Sequence, residues 1–169
     1  MTAITTSGSA EVTLPADDQI LITREFDAPK HLVYKAFTTP ELVKRWWHAK
    51  RGEVTIAEID LRVGGTWRYL AVTSEDGFEV AFHGEYREII PNERIVSTET
   101  YESLPAGVSE EDGTTVNTAT FTEADGRTTL TILVQAPSKE TRDAIIESGM
   151  EAGMQDALDL LEEVAISLR

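Results

Sequence analysis

The side chains best suited to binding or chemistry are concentrated in one stretch, KRWWHAKRG, residues 44–52. This basic segment holds two of the chain's three tryptophans, one of its three histidines and four of its fifteen basic side chains. The whole chain has a formal charge of −15. A cationic, aromatic segment in an acidic protein is typical of a binding site, of a phosphate clamp, or of the apolar end of a helix. Trp47 and His48 are therefore candidate ligand-binding residues.

Motifs for covalent, metal or nucleotide chemistry are absent from the sequence. It contains no GxSxG, no HExxH, no P-loop and no GxGxxG. His31, His48 and His83 are too far apart to form a local metal motif, and there is no cysteine. We therefore predict no catalytic residue, no metal site and no cofactor.

Aromatic residues on strand-like stretches supply further ligand-binding candidates. In GGTWRY, Trp67 and Tyr69 share one face, because strand side chains alternate. In the stretch that follows, Phe82 and Tyr86 share a face with Val80 and Gly84, and the opposite face carries His83, which we expect at the surface. Aromatic faces of this kind either line a cavity or fill an ordinary core.

Charged residues on the same strands leave the identity of the inward face open. Each of them could place a charge in a cavity if its face points inward, and a buried charge then needs a partner or a ligand. These residues are Arg24, Glu58, Asp60, Arg68 and Glu99.

Hydrophobic periodicity and turn residues predict the order of elements. Residues 1–18 are rich in Ser, Thr, Ala and Gly and are expected to form a flexible tail. Residues 19–169 are expected to form a single domain. It begins with a strand at 19–26 and two short helices at Pro29 and Pro40. Six antiparallel strands are predicted next, over residues 53–61, 66–73, 78–90, 94–102, 114–122 and 127–135.

A long C-terminal helix is predicted over residues 138–167. Its apolar stripe includes Met150 and Met154, which are candidate ligand-binding residues. Gly149 and Gly153 each cost about 1 kcal/mol relative to alanine inside a helix. Either a ligand or lid needs them there, or they permit close packing or a kink. The expected architecture is α+β, a seven-stranded antiparallel sheet wrapped around this helix.

The acidic composition argues against several partners. Phosphate backbones and anionic lipids are repelled by the overall charge, so nucleic acids and membranes are not expected as partners. No apolar run reaches the roughly 20 residues of a membrane-spanning helix, and no signal peptide is evident. We expect a soluble, cytoplasmic protein.

Several blocks of the sequence resemble a known family. The segments ITREFDAPKHLVYKAFTTPELVKRWW, GGTWRY, FHGEYREIIPNERIVSTETYE and ESGMEAGMQDALDLLEE are similar to the activator of heat-shock protein 90 ATPase homologue family, within the START-like or SRPBCC superfamily. The resemblance implies a helix-grip fold with a hydrophobic cavity between sheet and long helix. The chain departs from the family at Met154, where a tryptophan is usual, and at His48 and Ala49, where a glycine and a proline are usual.

Three functions are consistent with this resemblance. The first is a binding protein, not an enzyme, that takes a small hydrophobic or aromatic ligand into the cavity. The second is a cyclase-, aromatase- or hydrolase-like enzyme that uses the same cavity. The third is a chaperone cofactor that makes contact through the basic segment or the acidic helix face. A homodimer, the ligand and the pathway are left open by the sequence.

Overall fold

The computed structural model of the chain describes residues 2–5, 10–104 and 107–169. Nine β-strands and four α-helices are formed by these residues. The strands are β1 (Thr2–Thr5), β2 (Glu11–Leu14), β3 (Gln19–Phe26), β4 (Gly52–Ile59), β5 (Thr66–Thr73), β6 (Glu79–Ile90), β7 (Arg94–Tyr101), β8 (Thr114–Ala124) and β9 (Arg127–Gln135). The helices are α1 (Lys30–Thr38), α2 (Pro40–Val43), α3 (Lys139–Glu147) and α4 (Met150–Ser167).

The described strands form one antiparallel sheet in the order β1-β2-β3-β9-β8-β7-β6-β5-β4. From β4 to β9 each strand pairs with the next in sequence, as short turns favour. Strand β9 then pairs with β3, with Ile22 opposite Ile132. The sheet curves around the C-terminal helices, which is the helix-grip architecture expected from the resemblance, so the predicted fold class is confirmed.

The N-terminal segment differs from the predicted flexible tail. Strand β2 pairs with β3, and Val12 is fully buried. Gln155 on α4 holds the start of this strand: its amide accepts a hydrogen bond from the Ala10 N–H and donates one to the Ala10 carbonyl, at 3.1 and 2.9 Å. Strands β1 and β2 raise the count from seven to nine, and the tail prediction is wrong for residues 10–14. Its Met1 and residues 6–9 lie outside the described part of the chain.

The predicted long C-terminal helix is divided into two. Helix α3 begins normally, because the Ser138 hydroxyl accepts a hydrogen bond from the Thr141 N–H at 3.1 Å. It ends at Glu147 with Ser148 as its C-cap, and Gly149 adopts a left-handed conformation with φ of +84° before α4 begins. Glycine adopts this conformation without the steric cost that Cβ imposes on other residues. The prediction of one continuous helix is wrong because the apolar residues keep their helical spacing on both sides of the break.

Fully buried side chains fill one end of the inner sheet face. Phe121 is fully buried and makes edge-to-face contacts with Tyr34 and Phe37 of α1, with ring centroids 5.5 and 5.6 Å apart. Leu161 of α4 is also fully buried. Other fully buried side chains in the core are Phe26, Ile20, Leu130, Val12, Val33 and Val43. The C-terminal half of α4 is thereby fixed to the sheet.

Candidate functional site

The two tryptophans of the basic segment have different environments. Trp46 is buried, stacks on Phe37 at 5.7 Å and donates its indole N–H to the Ala36 carbonyl at 2.9 Å. Trp47 is only half-buried and its ring lies 5.3 Å from that of Tyr69 and 6.0 Å from that of Phe82. Trp46 therefore anchors the short helices, whereas Trp47 faces the inner surface of the sheet.

The aromatic residues singled out in the sequence converge on that surface. Strand pairing places Tyr69 directly opposite Phe82 and Trp67 opposite Gly84. The Trp67 and Tyr69 rings are 4.8 Å apart, and Phe82 lies 5.1 Å from the ring of Tyr101. These contacts form one aromatic cluster with Trp47, built from β5, β6, β7 and the basic segment.

Trp67 itself is part of the packed core. It is 7% exposed and donates its indole N–H to the Thr98 carbonyl at 3.1 Å. The ring crosses over Gly84, where an added Cβ would lie 2.6 Å from the indole nitrogen and closer still to the Thr98 carbonyl oxygen. Glycine is therefore required at this position, since any larger side chain would displace Trp67 or the neighbouring strand.

Several inward-facing side chains at the opposite end of the sheet keep accessible surface. Accessible surface on an inward-facing side chain means that a water-sized probe reaches it, so the helices cover this end of the sheet less completely than the Phe121 end. These half-buried residues are Tyr69, Phe82, Ser97, Glu99, Tyr101, Asn117 and Ile132 on the sheet, and Met150, Met154 and Ala157 on α4.

Gly153, in the first turn of α4, has open space around its missing Cβ. A Cβ built on Gly153 would meet no atom within 4 Å. Close packing of Gly153 against a strand is therefore not the reason for its presence. Met150 and Met154 flank it and pack against the edge of the core, and methionine adapts its shape to different neighbours.

An acidic side chain, Glu99, lies within this aromatic end of the inner face. It is opposite Thr115 on β8 and receives a hydrogen bond from the side chain of Asn117. Asn117 is oriented by the Thr115 hydroxyl, which donates to its Oδ1 at 2.9 Å, so that its amide N–H groups point to Glu99. Burial raises the pKa of the Glu99 carboxyl, and the hydrogen bond from Asn117 opposes part of that rise.

Burial also raises the pKa values of two tyrosine hydroxyls on the inner sheet face. Burial raises the pKa of Tyr69 well above its usual range, with smaller contributions from the charges of Tyr86 and Glu99. Burial likewise raises the pKa of Tyr86. Both phenols are therefore neutral hydrogen-bonding groups at physiological pH, and Tyr69 is close enough to Glu99 to sense its charge.

The structure shows which of the charged strand residues point toward the inner face of the sheet and which point away from it. Arg24 and Glu99 point inward, whereas Glu58 and Asp60 are exposed. Arg24, only 4% exposed, pairs with Glu162 at 3.0 Å. It also pairs with Asp159 of α4 at 3.2 Å, and lies over the Phe26 ring at 4.9 Å. Its charge is therefore neutralised within the protein, as a buried charge requires.

Arg68 and His83 lie on the outer face, where His83 was expected. Glu102 joins them: both of its carboxylate oxygens accept hydrogen bonds from Arg68 at 2.8 Å, and His83 Nδ1 lies 3.0 Å from one of them. These contacts, the Arg68 hydrogen bond above all, lower the pKa of Glu102 to about 2. The cluster ties β5, β6 and β7 together on the side away from the aromatic cluster.

The basic segment is attached to α4 at the edge of the accessible space. Arg51 donates from Nε and Nη2 to Asp156 at 3.2 and 2.9 Å, and Lys50 Nζ lies 3.8 Å from the same carboxylate. His48, between this clamp and Trp47, has a φ of +50°, in the left-handed region that favours glycine. Burial and the nearby Arg51 charge lower its pKa, which favours the neutral imidazole.

The structure brings part of the predicted ligand-binding set together, although contact of any of the eight residues with a ligand stays a prediction. Trp47, His48, Tyr69 and Phe82 adjoin one another, with Met150 and Met154 on α4, while Trp67 and Tyr86 are more deeply buried. Glu99 and Asn117 complete the set. Glu99 was noted only as an unassigned charge and Asn117 was missed, because an isolated asparagine in a strand carries no sequence signal.

Metal-binding clusters and membrane-spanning helices are both absent from the part of the chain that the structure describes. Residues 2–5, 10–104 and 107–169 contain no group of three or more His, Cys, Asp or Glu side chains arranged to hold a metal ion. Within the same ranges, no helix has the length and apolar character needed to cross a membrane.

Comparison with known proteins gives a family match and many structural matches. The family model described as activator of Hsp90 ATPase homolog 1-like protein matches residues 27–165. No functionally curated protein matches the sequence.

Several solved structures share the fold. A protein from Rhodobacter sphaeroides is 23% identical, with 94% of this chain and 99% of that chain covered and a TM-score of 0.83. A protein from Chromobacterium violaceum is 27% identical, with 89% and 98% covered and a TM-score of 0.75. The AHSA1-like protein from Aeromonas hydrophila is 19% identical, with 88% and 93% covered and a TM-score of 0.65.

Proposed function

We propose a ligand-binding function from the premise that this chain belongs to the family of activator of Hsp90 ATPase homolog 1-like proteins. It binds a small, largely apolar or aromatic molecule between the inner sheet face and α4. The observation that carries the proposal is the accessible surface on inward-facing aromatic side chains at one end of the sheet. Ligand sites are typically concave and mostly apolar, with a few polar groups that orient the ligand. Glu99, Asn117 and the two tyrosine hydroxyls are such groups.

The packing of the molecule supports a site at this end. The opposite end is closed by Phe121 and its contacts with α1, so a ligand there would have to displace the core. At the aromatic end, Trp47 covers Tyr69 and Phe82 from outside, while the Arg51–Asp156 contact holds the basic segment across the opening. Trp47 is thus placed to close over a bound molecule.

Native mass spectrometry and titration with a neutral aromatic probe, 1-naphthalenemethanol, test the proposal. Binding should quench or shift tryptophan fluorescence and raise the melting temperature, since a ligand stabilises the state it binds. Phe82→Trp narrows the space without removing apolar surface and should weaken binding. Phe78→Trp, on an exposed side chain outside the site, is the matched control. Binding that is equally strong in both variants would contradict this location.

An enzyme in the same space is a second candidate, favoured by the proximity of Glu99 and Tyr69. A half-buried carboxyl with a raised pKa is suited to general acid–base chemistry. Hydrolysis of 1-naphthyl acetate provides a direct test. Hydrolysis by the wild-type protein that is lost in Glu99→Gln would favour the enzyme. Equal hydrolysis rates in the wild-type protein and in Glu99→Gln would contradict the enzyme and favour the binding function.

A further inference from the structure

Glu99 is a half-buried, inward-facing acidic group for which the described part of the chain supplies no cation. No ion pair formed within the described part of the chain includes it. Arg24, the other inward-facing charge, has two acidic partners. A charge that is removed from water needs a partner of opposite sign or strong hydrogen bonds to offset its desolvation. Glu99 receives only the hydrogen bond from Asn117.

The rings around Glu99 are suited to a cation. Tyr101 lies two residues further along β7, on the same face, and its ring contacts Phe82 at 5.1 Å. Phe82 in turn lies beside Tyr69 on the neighbouring strand and beneath Trp47. The faces of aromatic rings attract ammonium groups electrostatically, most strongly when water is excluded. A carboxylate next to several such rings therefore favours a positively charged group over a neutral or negative one.

We infer that this site selects an organic cation: a protonated amine whose ammonium group lies on the Glu99 carboxylate and whose aromatic body lies against Trp47, Tyr69 and Phe82. The inference rests on the proposed binding function and names the chemical class of its ligand. Asn117 is the one side chain in the described part of the chain that supplies a hydrogen bond to this carboxyl group, so the group keeps further capacity to accept from a ligand. The chain's charge of −15 favours the approach of a cation as well.

Proton movement distinguishes this inference from simple apolar binding. Tyr69 on β5 interacts with the Glu99 charge. Tyr86 on β6 and Tyr101 on β7 lie on the same inner sheet face, and His48 lies beside Trp47 in the basic segment. Burial keeps the Tyr69 and Tyr86 phenols neutral near pH 7. From α4, Met150 and Met154 face the space and carry no charge. An arriving ammonium group stabilises the Glu99 carboxylate, so any Glu99 that is protonated in the free protein must release its proton on binding.

The experiment uses three probes with the same ring system and different charges. They are 1-naphthylmethylamine, which is cationic at neutral pH, 1-naphthalenemethanol, which is neutral, and 1-naphthoate, which is anionic. Each is titrated calorimetrically into the full-length protein, into Glu99→Gln and into Glu58→Gln. The last variant removes the same charge from an exposed position on β4 and so controls for the general acidic field.

The wild-type protein and Glu58→Gln are expected to bind the amine at least about tenfold more tightly than the alcohol, and the acid most weakly. Glu99→Gln should bind amine and alcohol about equally, with its affinity for the alcohol retained, which shows that the fold is intact. The wild-type preference for the amine should increase as pH rises through the pKa of Glu99. Titrations in two buffers with different ionisation enthalpies should detect proton release for the amine alone.

Each contrary result has a separate meaning. Equal wild-type affinities for amine and alcohol, or an amine preference that survives in Glu99→Gln, overturns the cation inference and leaves the proposed binding function standing. A preference lost equally in Glu58→Gln also overturns it, because the general field then explains the selectivity. Failure of the wild-type protein to bind all three probes overturns both proposals.

Discussion

Glu99 links the stability of the free protein to pH. Because burial raises its folded-state pKa above the ordinary value of 4.5, its contribution to stability is fully present below the unfolded pKa and is lost as pH rises through the folded pKa. Glu99→Gln keeps an acceptor for the Asn117 amide and removes the charge. We expect this variant to be more stable than wild type at pH 8, by on the order of 1 kcal/mol. Urea denaturation measures the difference.

The stability gain should become smaller as pH falls from 8 through the folded-state pKa of Glu99, because the wild-type carboxyl then takes up its proton. Glu58→Gln at an exposed position should change the free energy of unfolding by less than about 0.5 kcal/mol over the same range. A Glu99→Gln variant that is less stable than wild type at pH 8 would show that the ionised carboxylate is well solvated or paired.

Single residues also mark the limits of sequence-based prediction of the site. Alternation along strands put Trp67, Tyr69, Phe82 and Tyr86 on one face, and the structure places that face inward. The inward orientation of Glu99 could not be predicted, because its strand neighbours Ser97 and Thr98 do not distinguish the two faces by polarity. A buried carboxyl becomes recognisable only when the strands on both sides are known.

At the scale of elements, the resemblance explains the conformation of the basic segment. A glycine is usual where this chain has His48, and the φ of +50° at His48 is one that glycine adopts freely. The backbone of this turn therefore suits the glycine that the resemblance implies at this position. The positive charges at the end of the segment also have a partner within the protein. Lys50 and Arg51 pair with Asp156, so these two side chains do not form a phosphate clamp.

The contact between the basic segment and α4 predicts how the opening behaves. Asp156→Asn should weaken the attachment of Arg51 while costing less than about 1 kcal/mol of global stability, since the pair is solvent-exposed. We expect hydrogen exchange of the amides of residues 47–51 to become about twofold to fivefold faster. Mass spectrometry of deuterated peptides measures this rate.

Asp60→Asn provides the control for that experiment, because Asp60 pairs with Arg62 in a neighbouring surface turn and does not reach α4. Its exchange rates over residues 47–51 should equal those of wild type. Unchanged rates in Asp156→Asn would mean that the tryptophan contacts alone hold the segment in place.

Because α3 and α4 are separate helices, alanine substitutions at Gly149 and Gly153 should change the stability in opposite directions, although the sequence alone treats the two glycines alike. Gly149 has a left-handed conformation, so Gly149→Ala should destabilise the protein by about 1 to 2 kcal/mol. Gly153 lies within α4 with open space around its missing Cβ, so Gly153→Ala should stabilise it by about 1 kcal/mol. Chemical denaturation of the two variants decides the point, and stabilisation by both would indicate a continuous helix.

At the scale of the whole molecule, the seven central strands followed from alternation and turn residues, because their patterns are local. The N-terminal strands did not, since their fixation depends on distant partners. Ala10 is hydrogen-bonded to Gln155, 145 residues away, and Val12 fits against a core that exists only after β3 and α4 have assembled. A short strand rich in small and polar residues has no periodic signal strong enough to distinguish it from a tail.

Deletion of residues 1–14 tests the role of this segment. It removes the buried side chains of Ala10 and Val12 and the pairing of β2 with β3, so we expect a loss of about 2 to 3 kcal/mol of unfolding free energy. Gln155→Ala in the full-length chain leaves the buried Ala10 N–H and carbonyl unpaired and should cost about 1 to 3 kcal/mol.

The two changes together isolate the long-range contact. If Gln155 stabilises the fold through Ala10, adding Gln155→Ala to the truncated chain should cost less than about 0.5 kcal/mol, and the two single effects will not add. Additive losses would instead place the contribution of Gln155 within α4, where it also lies near Glu151. A truncated chain as stable as wild type would show that β2 covers the core without contributing to its stability, as a flexible tail would.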